Sequence, residues 1–124
     1  MNLTHLKAFV DAMQRKDIEA MLPNMADDVI LKTPLVAEPF KGKAAIRPVV
    51  EALLAVVDKF ELREMLQGPQ HVSQFFGVTV GSDELDGMDY FRVNEAGLIQ
   101  EMTVLWRPLP AIVSVQEKLA IAER

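Results

Sequence analysis

The spacing of apolar positions changes once along this chain, near Lys59, and the change separates a helical first half from a strand-rich second half. Leu3, Leu6, Phe9, Val10 and Met13 recur at helical spacing, with Lys7, Asp11 and Gln14 on the other side. That pattern predicts an amphipathic first helix. Asp17 is placed to cap a second helix starting at Ile18, since a carboxylate accepts the unpaired N–H groups of a first turn. Pro23 should end it, because proline lacks a donor and crowds the preceding turn. Val29, Leu31 and Thr33 then share one face of a short strand, with Asp27-Asp28 as the helix-to-strand corner. Gly42 starts the clearest helix. Ile46, Val49, Val50, Leu53, Leu54 and Val57 form a continuous stripe, as in a helix laid against a sheet. Pro48 sits early in it, where a missing donor matters less.

Past Lys59, residues 60–67, 72–80, 84–93 and 98–107 all suit strands. The segments between them, Gly68-Pro69, Gly81-Ser82-Asp83 and Asn94-Glu95-Ala96-Gly97, are short and turn-forming, which favours antiparallel neighbours. Pro108 and Pro110 break the last strand. Residues 111–123 can form a final helix with Ile112, Val115 and Leu119 inward. Helices first and hairpin strands afterwards predict an α+β fold. Its strongly curved antiparallel sheet would wrap against the N-terminal helices and the one long helix, with the C-terminal helix added at the end. Such a sheet encloses a cone, and a cone makes a cavity.

Composition narrows the classes. With 124 residues, 50% apolar and 25% charged, the chain reads as one globular domain over 1–124, its core spanning about 3–108. A net charge of -5 and the absence of any long basic cluster argue against nucleic acid. There is no cysteine, so thiol catalysis, thiolate metal sites and disulfides are excluded, in keeping with a cytoplasmic location. The N-terminal residues lack the apolar run of a signal peptide, and Leu53 to Val57 is too short to span a bilayer, so no membrane is expected. A small apolar ligand or another protein fits this balance better.

The chemistry-bearing positions are few. In the strand over 84–93, Leu85, Gly87, Asp89, Phe91 and Val93 share one face, while Glu84, Asp86, Met88, Tyr90 and Arg92 make the wetter one. Asp89 is thus a carboxyl group on an apolar face, where desolvation favours the protonated acid. Two readings stand: an acid that donates to a carbonyl or enolate oxygen, or a core aspartate held by a partner or displaced by a bulge. In the next strand Met102, Val104 and Trp106 form an apolar stripe, either cavity lining or plain core. Arg107 is either an anion-binding group or a surface or helix-pairing arginine. His5 and His71 lack companion ligands, so no metal is expected. Ser73, Ser82 and Ser114 lie in no nucleophile-elbow pattern. No glycine-rich loop precedes a helix, so no nucleotide cofactor is expected.

The order of elements, with "KDIEAMLPNMADDVILKTP", "FKGKAAIRPVVEAL" and "MDYFRVNEAGLIQEMTVLW", resembles the nuclear transport factor 2-like superfamily. The nearest likeness is to its SnoaL-like branch, similar to ketosteroid isomerases and SnoaL-like polyketide cyclases. The resemblance implies that the isomerase base, an aspartate closing the first strand, falls on Thr33, and that the oxyanion-binding tyrosine falls on Phe9. The second oxyanion donor, an aspartate kept protonated in an apolar site, falls on Asp89. Supporting tyrosines fall on Met25 and Val50, and Trp106 matches an aromatic position of the cavity. In an epoxide-hydrolase pattern the last-strand aspartate would fall on Val104. A lone alcohol is a very poor base near neutral pH and phenylalanine donates no hydrogen bond, so standard steroid isomerisation is not expected.

What remains is a pocket lined by Phe9, Val29, Leu31, Thr33, Val50, Phe91, Met102, Val104 and Trp106, with Asp89 as its main polar group. Acid/base chemistry of isomerase or cyclase type on a small apolar carbonyl or polyketide-like compound is one expectation. A hydrophobic-ligand-binding module without chemistry, or a dimerisation domain, is the alternative. The resemblance also implies a homodimer formed through the outer face of the sheet.

Overall fold

The computed structural model describes residues 1–122, with side chains through Ala120. In chain order the elements are α1 (Thr4–Gln14), α2 (Ile18–Met21), a 3-10 turn (Leu22–Asn24), β1 (Met25–Lys32), β2 (Phe40–Lys41), α3 (Lys43–Val56), β3 (Lys59–Gln67), β4 (His71–Val80), β5 (Asp83–Val93), β6 (Ile99–Arg107) and α4 (Leu109–Ala122). The fold is α+β. Asp17 caps α2 as its position predicts, its Oδ1 accepting the Ala20 N–H at 3.1 Å, and Pro23 lies in the 3-10 turn that ends the helical run.

The six strands form one open sheet in the order β2-β1-β6-β5-β4-β3. β3 to β6 run as the antiparallel meander that their short turns dictate. The sheet is not antiparallel throughout, however, because β1 pairs parallel to β6. The short-turn rule governs only strands that follow each other directly. β1 meets β6 after α3 and the whole meander have intervened, so no turn sets their relative direction. Registers shift between Leu62 and Glu64, between Arg92 and Val93, and between Met25 and Ile30. Such shifts bend and twist a strand locally, and they fall on three different strand pairs of the sheet.

Three local expectations change. β1 starts at Met25, so Asp27 and Asp28 lie inside the strand, both exposed next to the buried Met25 and Ala26. That break in alternation coincides with the register shift against β6. Pro48 is in the second turn of α3, where it deprives the Ala44 carbonyl of a helical partner. Pro48 and Ala44 are both exposed, so that carbonyl is open to solvent. α4 begins at Leu109, with Pro110 already in its first turn. The expected helix end at 123 lies outside the described residues.

Two apolar clusters fill the space between helices and sheet. One joins α1 and the start of α3 to β1, β5 and β6 around Leu6, Phe9, Val29, Ile46, Phe91 and Met102. In it Phe9 meets Phe91 edge to face at 6.0 Å between centroids, worth about 1 kcal/mol beyond simple burial. The other seats α4, through Ala111, Val115 and Leu119, on Val78, Val80 and Leu85. Ser114 and Lys118 fix that helix by bonding Asp83 Oδ2 at 2.6 and 3.0 Å. Between the two clusters the packing is incomplete.

Candidate functional site

The incomplete packing leaves a cavity of about 160 Å3 where α1, α3 and four strands converge. Met13 comes from α1, Leu53 and Leu54 from α3, Phe60 from β3, Phe76 and Val78 from β4, and Met102, Val104 and Trp106 from β6. β5 contributes Asp89. Gln14, Lys16 and Asp58 border the same space and are exposed, so the opening lies between the end of α1 and the end of α3. Lys16 holds that rim in an unusual way. It closes α1 in the left-handed conformation, with φ of 57°, normally glycine's place. Its Nζ donates across the rim to the Val57 carbonyl.

Asp89 is 2% exposed. Period-two alternation along β5 turns it to the same face as Leu85 and Phe91, opposite Gln74 on β4 and Val104 on β6. Gln74 is the only polar side chain directly across from it, and it is committed elsewhere. Its Nε2 donates to the carbonyls of Glu64 and Phe75, both at 3.3 Å, beside the register shift of β3. Asp89 Oδ2 is therefore buried without a hydrogen-bond partner. Desolvation by burial pushes the Asp89 carboxyl from 3.8 up to about 8. Near neutral pH it is mostly a protonated acid, able to donate one hydrogen bond, with its base form within reach.

The other sequence-derived positions divide into groups. Met102, Val104 and Trp106 line the cavity with Asp89. Phe9, Leu31 and Val50 line a second, wholly apolar hollow of about 70 Å3 that shares Met13, Leu53, Leu54, Met102 and Val104 with the first. Val29 and Phe91 are fully buried core residues lining neither. Thr33 stands apart. Its Oγ1 accepts the Leu35 N–H at 3.2 Å, and it borders a groove between α3 and α4. Met13, Leu53 and Leu54 are cavity residues that spacing placed only on the apolar faces of their helices, Phe60 and Phe76 were placed only within strands, and Gln74 was not singled out. Gln74 did carry a signal, a polar residue in alternation with Val72, Phe76 and Val78.

An open groove of about 390 Å3 lies on the outer face of the sheet around Arg63, Asp86 and Arg107. Its polar groups bond to one another: Asp86 accepts from Arg63 at 2.7 Å and from Arg107 at 2.9 Å. Arg107 thus stands as a surface arginine. Of the two histidines, His5 pairs with Asn24 Oδ1 at 2.9 Å and His71 stacks on Tyr90. Among the described residues no group of three histidine, aspartate or glutamate side chains gathers as a metal would need. No helix among them is long and apolar enough to cross a membrane.

A family model described as "SnoaL-like domain" matches residues 6–102. The chain belongs to that family. Solved structures agree on the fold. An uncharacterised protein conserved in bacteria with a cystatin-like fold, from Silicibacter pomeroyi, superimposes with a TM-score of 0.90 at 20% identity, over 97% of this chain and 85% of that one. A steroid delta-isomerase from Pseudomonas aeruginosa gives 0.89 at 21% identity, over 96% of this chain and 88% of that one. A SnoaL-like protein of unknown function from Burkholderia thailandensis gives 0.73 at 15%, over 83% and 92%. A search of curated proteins gives no match. At these identities the likeness is one of fold.

Proposed function

We propose that this SnoaL-like domain binds a small apolar carbonyl compound beside Asp89 and acts on it by acid/base chemistry of isomerase or cyclase type. Asp89 is the proton donor or shuttle: its acid form gives its proton to the carbonyl or enolate oxygen, and the carboxylate so formed takes up the α-hydrogen. The observation that carries the reading is a carboxyl group that is almost fully buried, its Oδ2 unbonded, lining a cavity whose inner wall is otherwise apolar and whose other polar residues stand at the exposed rim. Leaving such a group without a partner costs about 1–3 kcal/mol, and a ligand oxygen removes that cost. A neutral acid in a water-poor site polarises a carbonyl without first losing a hydration shell. Solvent-hydrogen exchange at the α-carbon of cyclohexanone tests the idea. Positioned acid/base groups contribute about 10²–10⁴ in rate, so Asp89→Asn should slow any protein-catalysed exchange by at least about a hundredfold. Equal rates in both proteins would remove the role.

A binding module without turnover is the second reading, and a specific observation favours it. Phe9 offers no polar group, and Thr33 bonds its own backbone away from the cavity. Among the described residues, the other titratable groups that line the cavity, Lys16 and Asp58, stand at its exposed rim. On this reading the bound compound would be recovered unchanged by mass spectrometry after prolonged incubation. Two copies would pair through the outer face of the sheet, where Tyr90 and Leu105 are 41% and 52% exposed.

A further inference from the structure

Two side-chain polar atoms are buried without a hydrogen-bond partner among the described residues: Asp89 Oδ2 and Trp106 Nε1. Both residues line the one 160 Å3 cavity. An unmade bond at a buried donor is costly, and here the two unmet groups share a single apolar hollow. Their relation follows from the register. Gly87 faces Trp106 and Asp89 faces Val104, so Asp89 and Trp106 are diagonal neighbours on one face of adjacent strands. Diagonal positions are roughly 7–8 Å apart, within reach of aromatic side chains.

The indole has also been given room. Gly87 lies directly across from it, and a Cβ there would run into the Phe76 ring and stand 2.8 Å from Trp106 Cδ1. Without that side chain both rings can lie over β5. The chemistry of the pair then limits the ligand. Indole N–H is a donor only, and a protonated carboxyl also offers a donor. A ligand satisfying both must present an acceptor, as a ketone oxygen does and an ammonium cannot. Size limits it further, since an apolar cavity of about 150 Å3 is filled by benzene.

We propose that Trp106 is a ligand-binding residue whose indole N–H, together with the Asp89 carboxyl, hydrogen-bonds the oxygen of a monocyclic ketone or enone with a hydrocarbon body. The inference rests on the pocket reading given above and adds the second donor and the size class.

The chain has one tryptophan, so ¹⁵N-labelled protein gives one indole N–H resonance. Titration with cyclohexanone should move that resonance downfield and saturate, whereas methylenecyclohexane, the hydrocarbon of the same shape, should bind at least tenfold more weakly. Trp106→Phe should cut the ketone's advantage about tenfold, and Asp89→Asn, which keeps a donor, should preserve the indole shift. If the ketone binds and Asp89→Leu weakens it while the indole resonance stays still, Trp106 has no such role and the reading of Asp89 survives. If neither Asp89→Leu nor Trp106→Phe alters ketone affinity, both fall. If no monocyclic ketone binds the wild type up to its solubility, the size class is wrong. Should Trp106→Phe fail to fold, the wild-type indole shift alone decides.

Discussion

Asp86 and Asp89 are three residues apart on one strand and meet opposite environments. Asp86 faces outward, and the Arg63 guanidinium bonded to it, then that of Arg107, hold its carboxyl below the ordinary carboxylate range. Asp89 faces inward among Val104, Trp106 and Leu54, and burial alone lifts it to about 8. An odd step along a strand separates a solvated ion from a neutral acid. The outer face has answered its charges with partners, while the inner face has left a polar group unanswered in an apolar space. The second condition is the one that invites a ligand.

The largest test of this contrast is the pH dependence of stability. The folded chain keeps the Asp89 proton up to about pH 8, whereas the unfolded chain releases it near 3.8. Asp89's contribution is therefore full below 3.8, declines as pH rises toward 8, and is flat beyond. At about 1.4 kcal/mol per pH unit the full decline is roughly 6 kcal/mol. Urea unfolding at several pH values should show wild type losing that much against Asp89→Asn, whose amide does not titrate. Asp86 has the opposite sign. Its contribution is present above 3.8 and disappears as pH falls below it, so Asp86→Asn should be less stable than wild type above 3.8 and converge with it at the acid end. A flat difference between wild type and Asp89→Asn would mean that the carboxyl is not desolvated.

Two glycines sharpen the comparison at a smaller scale. A Cβ at Gly87 would meet the Phe76 and Trp106 rings on the inner face, where packing cannot relax freely. Gly87→Ala should cost about 1–3 kcal/mol and shift the tryptophan fluorescence. A Cβ at Gly77 would meet only the end of the Arg63 side chain on the outer face. Gly77→Ala should leave the unfolding midpoint close to wild type, because that guanidinium can swing away. Comparable losses would show that the two faces do not differ in rigidity as described.

The outer face supplies the least energetic prediction for a single chain. Exposed Tyr90 and Leu105, next to Met88, interrupt the charged groups there. Leu105→Glu should turn the proposed dimer into monomer in sedimentation at micromolar concentration with little change in the fold of each chain. A wild type that is already monomeric would overturn the pairing.

Much of this contrast could be read from spacing alone. Alternation in residues 84–93 sets Asp89 with Leu85 and Phe91 and sets Asp86 with Met88 and Tyr90, and the strand obeys it. The helix stripe from Ile46 to Leu54 was equally legible. The start of β1 was not, because its register shift puts Asp27 and Asp28 side by side on exposed positions and hides the period. β2, at two residues, is too short to show a period at all. Its pairing and the parallel contact of β1 with β6 are non-local facts. The cavity was only half legible. Spacing marks Met13, Leu53 and Leu54 as inward, yet which inward residues face empty space depends on how the volumes of six elements add up. The unbonded indole of Trp106 is likewise a property of the assembled face, as is the diversion of Gln74 to the Glu64 carbonyl.

The central claim is that Asp89 is a neutral, ligand-ready acid near physiological pH. Its most direct measurement is the pH titration of the Asp89 ¹³Cγ resonance in the intact, ligand-free chain, assigned by its loss in Asp89→Asn. A protonated carboxyl at pH 6 and a midpoint at about 8 are expected. A midpoint near 3.8, the ordinary aspartate value, would contradict it.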